Sequence, residues 1–138
     1  MQRHIFLYFL VNLEQLYCTG NDIRNIEVLG NLTKLKVLFL GSNWNIENYA
    51  ILSKLQHLER LNLESNKLKH IEFVKDLNNL KALLLADNEI RFIYPMLNLT
   101  NLEELNLEDN EIKDTGALKA FEKLKLLNFK RQKKRELN

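Results

Sequence analysis

Six leucines recur at intervals of 22 or 23 residues along this chain of 138 residues, and no other feature restricts its fold as strongly. They are Leu13, Leu35, Leu58, Leu80, Leu102 and Leu124. Each begins a segment of the form L-x-x-L-x-L-x-x-N, with small variations, as in residues 80–88. A fixed period in this range is typical of a solenoid, in which each unit buries its apolar face against neighbouring units.

Two spacings within each unit predict its secondary structure. The Leu-x-Leu alternation that begins a unit has a period of two, which predicts a short strand with one face inward. The second half has an apolar residue at every third position, which predicts a tight 3₁₀ return and not a long amphipathic helix. In the third unit these apolar residues are Leu68, Ile71, Val74 and Leu77. Repetition of this unit predicts an α/β solenoid whose parallel sheet lines the concave side of an arc.

An asparagine stands at the ninth position of the first five units: Asn21, Asn43, Asn66, Asn88 and Asn110. A side-chain amide both donates and accepts hydrogen bonds, so it can satisfy backbone groups where a strand ends and the chain turns. We therefore expect a stacked asparagine ladder inside the solenoid. The sixth unit has Gln132 at this position, and we expect the ladder to stop there.

With these residues the chain resembles the leucine-rich-repeat proteins of the 22-residue class, found in a regulatory subunit of protein phosphatase 1, a dynein light chain and bacterial internalins. Units 1, 3 and 4 follow the pattern N-x-I-x-x-I-x-x-L-x-x-L-x-x-L-x-x-L-x-L almost completely. The resemblance covers nearly the whole chain. It implies a right-handed, horseshoe-shaped solenoid that binds other proteins, usually through its concave face, with no chemistry of its own.

The repeat pattern also predicts the domain organisation. We expect one leucine-rich-repeat domain over residues 1–130, with a partial repeat at 1–12 before the six units, and a basic tail at 131–138. The first eleven residues also resemble a secretory signal, because a basic residue precedes an apolar run. Leu7 and Leu10 lie in phase with the repeat, which favours the partial repeat, and the signal segment stays open as the alternative.

The charge of the chain is unevenly distributed. The formal net charge is +2, but residues 119–138 carry +6 and the remaining residues carry −4. The basic run at 130–135 suggests a nucleic-acid site, but no aromatic residues alternate with it as a stacking platform requires. Nucleic-acid binding is therefore the less favoured interpretation. No apolar run is long enough to span a bilayer, so no membrane insertion is expected.

The sequence contains no recognisable catalytic or metal-binding pattern. The three histidines fall at different repeat positions, and Cys18 is the only cysteine. The four glycines form no phosphate-binding loop. We therefore predict a protein that is not an enzyme and needs no cofactor or metal. Cys18 occupies an inward leucine position, so we expect it to act as a small buried apolar residue.

The residues that alternate with the inward leucines should face the concave surface. From these we predict a protein-binding surface formed by Tyr17, Val37, Phe39, Trp44, Arg60, Glu64, Leu84, Asp87, Glu104 and Glu108. The apolar members should form an exposed cluster, and the acidic members, with Asp109, should select a partner with an apolar knob flanked by basic residues. Trp44 is included because an extra residue in unit 2 should push it outward. The same alternation places Gly41 and Ala82 outward.

These observations predict a protein–protein interaction scaffold, with a phosphatase-type regulatory subunit as one specific form. We expect a cytoplasmic location, with the nucleus as a second possibility. Two alternatives stay open: an extracellular, internalin-like adhesion module and an RNA-associated adaptor that uses the basic tail. The sequence does not indicate the oligomeric state.

Overall fold

The computed structural model describes residues 5–133, with side chains from residue 7 onward. Six strands form one parallel sheet in sequential order. They are β1 (Gln15–Tyr17), β2 (Val37–Phe39), β3 (Arg60–Asn62), β4 (Ala82–Leu84), β5 (Glu104–Asn106) and β6 (Leu126–Asn128). Each strand pairs with the next at an offset of one repeat, so Leu61 lies opposite Leu83 and Leu83 opposite Leu105.

A short 3₁₀ helix precedes each strand of the described residues, and the last five of these helices lie in the connections between strands. In chain order the helices are η1 (Ile5–Phe9), η2 (Glu27–Asn31), η3 (Ala50–Lys54), η4 (Glu72–Val74), η5 (Tyr94–Met96) and η6 (Gly116–Ala120). Neighbouring helices from η1 to η5 pack side by side. The predicted leucine-rich-repeat solenoid, with a parallel sheet and short 3₁₀ returns, is thus confirmed.

The core is a stack of inward leucines between the sheet and the returns. In the central units Leu58, Leu61 and Leu63 are fully buried, and burying each such side chain contributes about 1.5–3 kcal/mol to stability. Burial is weaker in the last unit, where Leu127 is 44% exposed. The difference arises because an inner unit is covered by neighbours on both sides.

The predicted asparagine ladder is confirmed for Asn43, Asn66, Asn88 and Asn110, whereas Asn21 bonds the Cys18 carbonyl at 2.9 Å but is exposed. The Asn88 side chain donates hydrogen bonds of 3.0 Å to the carbonyls of Leu63 and Leu85. Its oxygen accepts bonds from the backbone N–H groups of Asn66 at 3.1 Å and Leu68 at 2.8 Å. Asn43, Asn66, Asn88 and Asn110 are all buried.

The prediction that the ladder stops at Gln132 is wrong. Gln132 Nε2 donates to the Leu107 carbonyl at 2.8 Å, and Gln132 Oε1 accepts from the Ile112 N–H at 3.0 Å. The longer glutamine side chain therefore bonds the same backbone positions as the asparagines. Residues 131–133, the described beginning of the predicted tail, make the contacts of a sixth unit, and the rest of that tail lies outside the described residues.

The described part of the predicted partial repeat resembles the later returns. Leu7 is buried, and the Leu10 N–H bonds the Leu7 carbonyl at 3.1 Å. The same bond joins Leu32 to Leu29 one repeat later. Residues 1–4, where the signal-like segment would begin, lie outside the described residues.

A left-handed residue precedes each ladder amide. These residues are Gly20, Ser42, Ser65, Asp87, Asp109 and Arg131, with φ between 54° and 72°. For an L-residue this conformation costs roughly 1–2 kcal/mol. Since only Gly20 is a glycine, this turn has no glycine pattern by which the sequence could indicate it.

Candidate protein-binding surface

The concave face consists of outward side chains in rows that run across the strands. The first row is Gln15, Val37, Arg60, Ala82, Glu104 and Leu126. The second row is Tyr17, Phe39, Asn62, Leu84, Asn106 and Asn128. The residues two positions further along the chain continue the face: Thr19, Gly41, Glu64, Ala86, Glu108 and Lys130.

Two aromatic side chains stand side by side on the first two strands. The ring centroids of Tyr17 and Phe39 are 5.0 Å apart at an angle of 67°, an edge-to-face arrangement. Tyr17 is 61% exposed, whereas Phe39 and the neighbouring Val37 are half-buried. We call Tyr17 and Phe39 the aromatic pair.

Leu84 does not adjoin the aromatic pair. Asn62 lies in register with Phe39 on one side and with Leu84 on the other. A polar strand position therefore divides the predicted apolar residues into the aromatic pair with Val37 and a separate, half-buried Leu84.

Polar side chains from β3 and β5 meet across the strand between them. Arg60 pairs with Glu104 at 3.3 Å, although Ala82 separates them in the sheet. Ala82 was predicted outward; it occupies a concave position but is only 1% exposed, because the ion pair crosses above its small side chain.

Gly41, the other small residue predicted outward, is also buried. A β-carbon at this position would lie 3.0 Å from Asn62 Oδ1. Gly41 therefore occupies an outward backbone position, as the alternation predicts, but the Asn62 side chain covers it.

The carboxylate of Glu64 is held by neutral donors. Asn62 Nδ2 donates to it at 3.1 Å and Asn106 Nδ2 at 2.9 Å. Glu108 instead accepts from Asn128 Nδ2 at 2.7 Å and pairs with Arg131 at 2.7 Å. The small residue Ala86 lies between these two glutamates in the order of the units. We call Glu64, Ala86 and Glu108 the carboxylate notch.

Basic residues of the sixth unit contact the acidic edge beside the notch. Arg131 bonds both carboxylate oxygens of Asp109, with Nε at 3.1 Å and Nη2 at 2.8 Å. This hydrogen bonding lowers the pKa of Asp109 below its usual value and raises the pKa of Arg131. Lys133 Nζ lies 3.9 Å from Asp87, whose side chain is 62% exposed.

Trp44 is exposed, as the extra residue in unit 2 predicted. It is 62% exposed, and Lys67 Nζ lies 5.8 Å from its ring centroid, a cation–π distance. Trp44 belongs to the turn after β2, beyond the residues of the concave rows.

An exposed apolar group on the convex side was missed by the sequence reasoning. Phe92, Tyr94 and Leu97 are 62%, 60% and 46% exposed, and the rings of Phe92 and Tyr94 are 6.5 Å apart. The equivalent positions of the first unit hold Asn25, Glu27 and Gly30. Comparing units at these outward positions, and not only at the inward ones, would have revealed this convex patch.

Two clefts adjoin the returns. One, of about 470 Å³, lies along η3 and η4 and includes Tyr49 and Phe73, whose stacked rings are 5.7 Å apart. The Tyr49 hydroxyl is buried without a hydrogen-bond partner among the described residues, and burial raises its pKa to about 12.

The other cleft, of about 670 Å³, lies at the first unit and includes Cys18. Cys18 is half-buried and packs on the core, and burial raises its thiol pKa.

Residues 5–133 contain neither a metal-binding cluster nor a membrane-spanning helix. Within that range, no three or more histidine, cysteine or acidic side chains are grouped so as to hold a metal ion. None of the helices in the same range has the length and apolar character that crossing a membrane requires.

The chain belongs to the leucine-rich-repeat family. The family model described as leucine-rich repeats in two copies matches residues 11–50 and 78–120, which is more than half of the chain. Members of this family are interaction modules that typically bind proteins. A search of curated protein sequences gives no match.

Three solved structures with the same fold come from bacteria. An internalin, InlF, of Listeria monocytogenes is 29% identical to this chain, with a TM-score of 0.85. The match covers 91% of this chain and 37% of the internalin chain. Internalin C2 of the same species is 31% identical with a TM-score of 0.83, covering 88% and 54%. A leucine-rich-repeat protein of Leptospira interrogans is 26% identical with a TM-score of 0.66, covering 88% and 38%. The chain thus spans about a third to a half of these proteins.

Proposed function

We propose that this chain is a non-enzymatic scaffold that binds a partner protein through the concave face of its sheet. The observation that carries the proposal is the aromatic pair, because Tyr17 is 61% exposed beside Phe39 on an otherwise regular strand surface. Exposed apolar groups often mark interaction sites, and aromatic side chains commonly dominate binding energy. Membership of a family of interaction modules supports the same function.

The chemistry of the proposed partner follows from the rest of the face. The aromatic pair would receive an apolar side chain, and Glu64, Glu104 and Glu108 lie on the strands that follow it. Complementary charge on a partner speeds association and selects its orientation. A partner with basic residues beside its apolar contact therefore fits this face best.

Two locations fit this function. The single thiol of Cys18 suits the reducing cytoplasm or nucleus, and this is the location we propose. The likeness to two internalins favours the alternative of an extracellular interaction module. Detection of the chain on the cell surface or in the culture medium would establish the alternative. Phosphatase-type regulation stays a prediction from the resemblance.

The RNA-adaptor alternative has less support. It depends on basic side chains that are available to phosphates, but Arg131 bonds Asp109 and Glu108. Titration with a mixed RNA pool at physiological salt tests it. Binding through a few phosphate contacts should be weak and should fall steeply as salt is added.

The proposed binding face is tested by affinity capture from extracts of the source cells with three forms of the chain. These are the wild type, a concave variant with Tyr17→Ala and Phe39→Glu, and a convex variant with Phe92→Glu and Tyr94→Glu. The convex variant is a matched control because it also changes two aromatic positions. Partners should be retained by the convex variant and lost by the concave variant. The opposite pattern would place binding on the convex patch and refute the proposal.

A further inference from the structure

We infer that the concave face recognises a protein segment with two side chains at a fixed spacing. One is aromatic or large and aliphatic and packs on the aromatic pair; the other is an arginine or lysine that enters the carboxylate notch. This inference rests on the proposed function and adds the chemistry of the partner segment.

The charge of Glu64 has not been neutralised by the chain itself. Its two hydrogen-bond donors, Asn62 and Asn106, are neutral amides, and none of the ion pairs of the described side chains includes Glu64. A carboxylate has about four acceptor positions, so two stay available for a cationic side chain. The two amides also fix the position of the carboxylate before binding, which reduces the ordering cost of a contact.

The small side chain of Ala86 leaves the floor of the notch partly exposed. Four residues before Ala86, Arg60 and Glu104 meet above Ala82 and bury it. No equivalent ion pair among the described residues crosses Ala86. The hydrogen bond from Asn106 to Glu64 crosses unit 4 from the side of Leu84, with which Asn106 is in register. Glu64 and Glu108 are two strand spacings apart, about 10 Å between their backbones. A guanidinium between them could bond both carboxylates, and such charge-assisted bonds are the stronger ones.

Arg131 does not occupy this space from the inner side. It belongs to the sixth unit and reaches Glu108 from the side opposite unit 4, at 2.7 Å, while also bonding Asp109. Arg131 therefore neutralises part of the charge of Glu108, and Glu64 is the carboxylate of the notch that has no cationic partner in the ion pairs of the described residues.

The geometry of the sheet sets the spacing of the two recognised side chains. Phe39 lies in register with Leu84, two strands away, and Ala86 lies two residues further along the chain. For ordinary strand dimensions, Phe39 and Ala86 are about 12 Å apart. An extended peptide advances about 3.3–3.6 Å per residue. The apolar residue and the basic residue of the partner segment should then be three or four positions apart.

The experiment is a selection of a random peptide library, displayed on phage, against the full chain. Enriched peptides should combine an aromatic or large aliphatic residue with an arginine or lysine three or four positions away. The most enriched peptide of this kind is then synthesised with and without its basic residue, which glutamine replaces, and both affinities are measured. Removing the basic residue should weaken binding to the wild type about tenfold and should hardly change binding to a Glu64→Gln variant.

Controls separate this inference from the proposed function. Glu59→Gln removes an equal charge at a residue that pairs with Lys81, so it should behave as the wild type. Enriched peptides that need the aromatic pair but show no basic preference would overturn the inference and leave the proposed function standing. Peptides that bind the concave variant and not the convex variant would overturn both. If no peptide is enriched above an uncoated surface, the inference is likewise refuted.

Discussion

Asn106 donates a hydrogen bond of 2.9 Å to Glu64, although a whole strand separates the two residues in the sheet. The bond crosses the fourth unit, which carries small side chains, Ala82 and Ala86, on either side of Leu84. Asn106 also accepts a bond from the Glu108 N–H through its own oxygen. One amide thus organises both glutamates of the carboxylate notch, from different atoms.

Replacing Asn106 by alanine should therefore weaken the fold modestly. Two hydrogen bonds are lost at a half-buried position, and we expect a loss of about 1 kcal/mol in the free energy of unfolding. Urea unfolding followed by circular dichroism measures it. Asn79→Ala is the comparison, since Asn79 is exposed and makes one bond, to the Gln56 carbonyl. Equal effects of the two substitutions would argue against the role of Asn106.

Asn88→Ala should cost more, about 1–3 kcal/mol, because buried backbone groups lose their partners. Asn88 bonds both to its own unit and to the preceding one. Gln132→Ala tests the end of the ladder: Gln132 is only half-buried, so water can replace part of its bonding and the loss should be smaller. A larger loss for Gln132 than for Asn88, measured by thermal unfolding, would contradict this account.

Leu83→Ala should behave as a deletion in a close-packed core. Leu83 is fully buried, and the lost contacts and remaining cavity should reduce the free energy of unfolding by about 2–5 kcal/mol. Leu127 holds the same repeat position but is 44% exposed, so Leu127→Ala should cost clearly less. Chemical denaturation measures both variants. Similar losses in the free energy of unfolding would show that the register is misassigned.

The sequence was sufficient to predict the sheet, the returns and most of the ladder because these follow from a period that every unit repeats. It failed where a single side chain decides the outcome. Gln132 continues the ladder through its extra length. Ala82 is buried because two long neighbours pair above it, which no inward–outward alternation can reveal.

The candidate surface was only partly predictable for a related reason. Alternation correctly placed Tyr17 and Phe39 together on adjacent strands. It could not show that Asn62 separates Leu84 from them, because contact between outward residues depends on three neighbouring units at once. The convex patch around Tyr94 was missed because those positions vary between units without affecting the core.

Tyr49→Phe should stabilise the protein, since it removes a buried hydroxyl that has no hydrogen-bond partner among the described residues. We expect a gain of about 1 kcal/mol at neutral pH. The ring stacking with Phe73 at 5.7 Å should remain. Thermal unfolding at pH 7 measures the change.

The same variant should alter the response to alkali. Burial raises the pKa of Tyr49 to about 12 in the folded state, whereas an exposed tyrosine in the unfolded chain titrates near 10. The unfolded chain therefore releases this proton first, so the stability linked to Tyr49 is complete below about pH 10 and decreases as the pH rises through 12. Tyr49→Phe should lose less stability over this window than the wild type. Tyr94→Phe, at a residue that is 60% exposed, is the matched control and should follow the wild type. If both variants lose stability in parallel with the wild type, Tyr49 is not the group responsible.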